Sequence, residues 1–122
     1  MERIEEFTRE GKNFLYIDFS GFSCDDEHLD LVKKTEPVIE KYPGHSLYTI
    51  TNIANLRFDS ETKKIAADFI IHNAPYVKYG AIIGLDGIKK MMAYTVMKLS
   101  GRTNLGFAFS REGAIEWLLQ QK

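Results

Sequence analysis

A chain of 122 residues holds enough material for one hydrophobic core and not comfortably for two, so a single domain over 1–122 is expected. Its 44% hydrophobic and 27% charged shares are those of an ordinary globular protein, and no apolar run approaches the roughly 20 residues of a bilayer crossing. A formal net charge of -1 excludes a global electrostatic pull toward nucleic acid, and the single cysteine, Cys24, excludes an internal disulfide or a cysteine-built zinc site.

In chain order, Glu2 to Lys12 is polar apart from Ile4 and Phe7, which fits either a short helix or an edge strand. Phe14 to Phe19 alternates, with Leu15, Ile17 and Phe19 on one face, and reads as a strand ended by Ser20-Gly21. From Asp25 to Tyr42, Leu31, Val32, Thr35, Val38, Ile39 and Tyr42 fall at helical spacing, with Ser23 or Asp25 as cap. Pro37 inside that stretch predicts a kink or a second helical segment, because an interior proline costs about 3 kcal/mol. Leu47 to Asn52 is a second strand, and its threonines suggest that one face of the sheet is less fully covered.

Ile53 to Phe58 is more apolar than a solvated loop needs to be. Asp59 or Ser60 then caps a helix whose stripe is Ile65, Ala66, Phe69 and Ile70. Val77 onward is a short apolar run suited to a buried parallel strand, ended by Gly84-Leu85-Asp86-Gly87. A helix with Ile88, Met91, Met92, Thr95, Val96 and Leu99 on one stripe follows, Asp86 serving as cap and Gly101 as stop. Asn104 to Phe109 places Leu105, Phe107 and Phe109 on one face, and Ser110 caps a last helix bearing Ala114, Ile115, Leu118, Leu119 and Trp117. Strands alternate with helices through connections read as too long for hairpins. The expected fold is therefore α/β, a mainly parallel four- to five-stranded sheet of repeated βα units with packed helices. Ligands in such folds gather where strands end and helices begin, here Asp18–Asp25, Asn52–Ser60, Leu85–Gly87 and Phe109–Arg111.

Chemical motifs are sparse. Gly80, Gly84 and Gly87 give GxxxGxxG, which fails the dinucleotide spacing, and no P-loop, GxSxG or HExxH pattern is present. His28, His45 and His72 lie in unrelated segments, so no metal or other cofactor is expected. Asp18 and Ser60 are the best candidates an enzyme would offer, but acids at strand ends more often stabilise helix starts. Lys63, Lys64, Lys78, Lys89, Lys90, Lys98 and Arg102 make the middle of the chain locally basic, a pattern that would suit phosphate or an acidic partner but that, spread over three elements, reads as the solvated side of helices.

Tyr16-Ile17-Asp18-Phe19-Ser20-Gly21, Asn55-Leu56-Arg57-Phe58-Asp59, Tyr76 to Ala81 with Gly84 to Ile88, Lys98 to Arg102 and Phe109 to Leu118 together resemble the small bacterial and archaeal STAS-like (SpoIIAA-like fold) proteins. The resemblance covers nearly the whole chain. It implies a single α/β domain related in fold to anti-sigma-factor antagonists and to the lipid-binding lobe of CRAL-TRIO proteins, with no established catalytic activity. In the antagonists a phosphorylatable serine lies in an Asp-Ser-Ser-Gly turn at a helix start; Asp59-Ser60 occupies a similar place, with Glu61-Thr62 where Ser-Gly would follow. The expectation is a non-enzymatic, cytoplasmic protein-binding or regulatory module using Ile53, Leu56, Phe58, Asp59, Ser60, Asp86 and Gly87 to contact a protein or to act as a switch. The alternative is a carrier of a lipid or other apolar small molecule, suggested by Met91, Met92, Met97 and the aromatic content.

Overall fold

The computed structural model describes residues 3–22, 25–57, 59–87, 90–91, 95, 98, 101 and 103–121. Five strands form one sheet in the order β1 (Ile4–Arg9), β2 (Lys12–Asp18), β3 (Leu47–Asn52), β4 (Val77–Ile83) and β5 (Leu105–Phe107). β2 through β5 pair in parallel, whereas β1 runs antiparallel to β2. Helices run over α1 (Asp25–Glu40), α2 (Ser60–Asn73) and α3 (Arg111–Leu119), and Gly87, Lys90, Met91, Thr95 and Lys98 are also helical; the fold is α/β, as the alternating pattern predicts.

The open question at the N-terminus resolves as a strand that forms a hairpin with β2, while the later strands pair in parallel without hairpins, as expected. Glu10 and Gly11, with φ of 53° and 76°, make a two-residue turn that sends β1 back along β2. Two consecutive positive φ values match the right-handed twist of the flanking strands, as tight hairpins require. The apolar pattern concealed this, because Ile4 and Phe7 are three residues apart and so belong to opposite sheet faces. Ile4 packs on the side of α1 and α2, while Phe7 stacks on Phe14 at 5.2 Å on the other side.

The strand order never reverses. Right-handed crossovers between successive neighbouring strands then carry α1 and α2 to the same face. The packing agrees: Leu15 and Ile17 of β2 and Leu47 of β3 meet Leu31, Val32 and Ile39 of α1 and Ile65 and Phe69 of α2. Residues of opposite parity, Phe14, Tyr48, Ile50, Ala81 and Ile83, meet Ala114, Ile115 and Leu118 of α3 on the other face. Full burial of a side chain such as Ile115 or Leu118 contributes about 1.5–3 kcal/mol, enough to hold a nine-residue helix that would not form alone.

Local signals set the ends of these elements. Asp59 and Ser110 are both extended N-caps, their side chains accepting from Thr62 N and Gly113 N. Pro37 lies inside α1, which runs through it as one helix, so the expected second segment does not occur. Two expectations about apolar stripes change. Phe109 lies beyond β5 and is fully exposed, and Met91, placed on the buried stripe, is 73% exposed. Ile88, Met92, Val96, Met97 and Leu99 lie outside the described residues, as do Ser23 and Cys24.

Candidate functional site

The loops after β2, β3 and β4 meet at one edge and are bound to one another through backbone and amide groups. Phe19 N donates to Asn52 O, Gly21 N to Ala54 O, Ile53 N to Ile83 O and Arg57 N to Phe22 O, at 2.8–3.0 Å. Asn52 is the centre of this weave: its Oδ1 accepts from Ala54 N at 3.0 Å and its Nδ2 donates to Tyr16 Oη at 2.9 Å. Gly84, at φ 86°, lies against the same loop. Asp18, a carboxylate expected at this edge, closes the neighbouring turn by accepting from Ser20 N at 2.8 Å.

This edge brings the sequence-predicted site residues together but divides them by direction. Ile53 and Leu56 are 7% and 4% exposed and point inward, so neither offers its side chain to a partner. Ser60, Asp86 and Gly87 are exposed, as is Arg57, and Asp59 is half-buried. Phe58 lies outside the described residues. Asp59 accepts from Thr62 N and Thr62 Oγ1, and its other oxygen pairs with Arg57 Nε at 3.0 Å. The Thr62 amide first, and then Arg57, hold its carboxyl below the ordinary carboxylate range. The outer rim is thus polar, with a fixed carboxylate immediately before the exposed Ser60. Asp86 O accepts from Lys90 N at 2.9 Å, so Asp86 stands at the start of a helical turn.

Inward of the rim, on the face carrying α1 and α2, an apolar cleft lies between α2 and the middle of the sheet, with a cavity volume of about 70 Å³. Its lining includes Ile53 and Leu56 from the loop, Phe69 and Ile70 from α2, Ile82 from β4 and Leu105 from β5. Several polar residues also line it: His28 of α1, Thr49 and Thr51 of β3, and Asn73 of α2. His28 is buried, its ring set edge-on to Phe19 at 4.8 Å. Thr49 is nonetheless 6% exposed and Thr51 half-buried, so the threonines of β3 lie on a covered part of the sheet, against the expectation. Sequence reasoning did not identify Thr49, Asn73, Gly80 or Leu105 as site residues, because their shared cavity depends on pairing across β3, β4 and β5.

A second cleft, between Arg3, Phe22 and the first half of α1, has a larger volume of about 240 Å³ but is lined by opposing charges. Lys34 is paired with Asp30 at 3.0 Å, and the Arg3 guanidinium donates to the carbonyls of Asp18 and Ser20 while lying over Phe22. Those commitments make the smaller apolar cleft the better candidate for a ligand.

Among the described residues no group of three or more His, Cys, Asp and Glu side chains is arranged to hold a metal ion, and no helix is long and apolar enough to cross a membrane. No protein-family model and no curated protein matches this chain.

Proposed function

We propose that the chain is a non-enzymatic regulatory module of STAS-like type that binds a protein on the polar rim formed by Arg57, Asp59, Ser60, Asp86 and Gly87. The observation that carries this reading is Ser60, exposed in the first turn of α2 directly after a cap whose charge is anchored by Thr62 and Arg57. The sequential βα order, with one antiparallel edge strand, supports the same family reading. A phosphate on Ser60 would add about two negative charges at a helix N-terminus that favours them, while crowding Asp59, and so would recast the rim without disturbing the core. Such a module would work in the reducing cytoplasm, where the lone cysteine needs no partner.

Affinity capture from cytoplasmic extract of the native host tests this reading. Wild type and Ser60→Ala should hold one common partner that Ser60→Glu and Arg57→Glu release. Equal capture by all four proteins removes the rim from consideration.

A second reading, a carrier of an apolar small molecule, is favoured by the cleft between α2 and β3–β5. Native mass spectrometry of detergent-free protein should show a bound apolar adduct; a bare chain from several growth conditions counts against it.

A further inference from the structure

We infer that the cleft selects a compact apolar molecule with one hydrogen-bonding end, a short-chain alcohol or carbonyl compound, whose polar end is anchored at Thr49. The inference rests on the carrier reading and adds the chemistry of the ligand.

Thr49 is 6% exposed, points from β3 into the cleft, and lines a surface otherwise dominated by aliphatic and aromatic groups. Among the described residues no side-chain hydrogen bond engages its hydroxyl. The hydroxyl is not sealed off as an unsatisfied core atom, so it is open to the cleft and offers an arriving polar group a hydrogen bond that valine, of the same shape, could not. The space in front of it is kept by Gly80. A Cβ at that position would lie 2.7 Å from both Thr49 Oγ1 and Leu105 Cδ2. The half-buried Thr51, two residues along the same strand face, adds a second hydroxyl to the floor.

Size narrows the class. An apolar cavity of about 150 Å³ accommodates benzene, so about 70 Å³ takes a shorter fragment, with any remaining chain leaving through the mouth. The walls that would contact the chain are Phe69, Ile70, Ile82 and Leu105.

The test uses 1-butanol, 1-pentanol and 1-hexanol, with n-hexane as the apolar isostere of 1-pentanol, titrated into the full chain and followed by amide and methyl resonances. Alcohol binding should shift Thr49, Ile70, Ile82 and Leu105 and tighten about fourfold per methylene while the chain stays within the cleft. Thr49→Val, which keeps the volume, should weaken 1-pentanol about fivefold and leave n-hexane no weaker. Ala66→Leu, which fills the cleft from α2, should weaken both. If neither ligand perturbs the cleft, the carrier reading falls and this inference with it. If both bind and Thr49→Val affects them alike, the carrier reading stands and the polar anchor is refuted.

Discussion

Replacing Gly84 by alanine measures how tightly the end of β4 is locked to the loop that carries the rim. At φ 86° an alanine pays the left-handed conformational penalty of about 1–2 kcal/mol. Its Cβ would also collide with the backbone nitrogen of Ala54 and lie 2.7 Å from Asn52 Oδ1 and 2.8 Å from Ala54 Cα. Two of those three atoms are backbone, so no rotamer change relieves the contact. Moving Ala54 would break its bond to Asn52 and, through Asn52, the link to Tyr16. Overpacking of this kind costs about 1–3 kcal/mol, for a total of about 2–5 kcal/mol. Gly11→Ala is the control: its φ of 76° is similar, but the added Cβ meets nothing within 4 Å. Urea unfolding followed by far-ultraviolet circular dichroism gives both values. With a slope of about 2 kcal/mol per molar, Gly84→Ala should lower the midpoint by about 1–2.5 M and Gly11→Ala by about 0.5–1 M. Equal losses in the two variants would show that Gly84 serves only its backbone angle and that the interlocked edge is not rigid.

Two further outcomes follow from the same geometry. His72, in the last turn of α2, has Nε2 2.7 Å from Glu40 Oε2 and Nδ1 2.8 Å from Asn73 Oδ1, with Glu36 3.8 Å away. Partial burial pulls its pKa down, but the Asn73 and Glu40 bonds and the charges of Glu36 and Glu40 outweigh burial and raise it. Because the folded value lies above the unfolded one, the stabilisation is fully present below pH about 6.5 and lost as pH rises through the higher folded value. Unfolding midpoints of wild type should therefore fall as pH rises past about 6.5, and His72→Gln should lack that component; identical pH profiles would refute the clasp. Ser110→Ala removes the acceptor of the Gly113 amide at 3.0 Å and should cost about 1 kcal/mol in equilibrium unfolding, whereas Ser110→Asp should retain most of it.

The sequence by itself determined the elements whose signals are local. Alternation in Leu47–Asn52 and the apolar run Val77–Ile83 define two strands at their observed ends. Asp59 and Ser110 mark helix starts because a short acceptor side chain reaches an amide only a few residues ahead. Once strands alternate with helices, chain handedness makes a parallel α/β sheet the natural outcome.

What only the tertiary structure decided is whatever depends on which strands become neighbours and which way a side chain turns. The Glu10-Gly11 hairpin was hidden because an edge strand needs no regular apolar pattern. Ile53 and Leu56 looked like an exposed apolar loop, yet they face inward because the loop is tied to the ends of β2 and β4 by hydrogen bonds between residues distant in sequence. The cleft is of the same kind. Thr49, Gly80 and Leu105 lie on three strands separated by more than 20 residues, and only the pairing of β3 with β4 and β4 with β5 sets them side by side, leaving a glycine where any larger residue would fill the space.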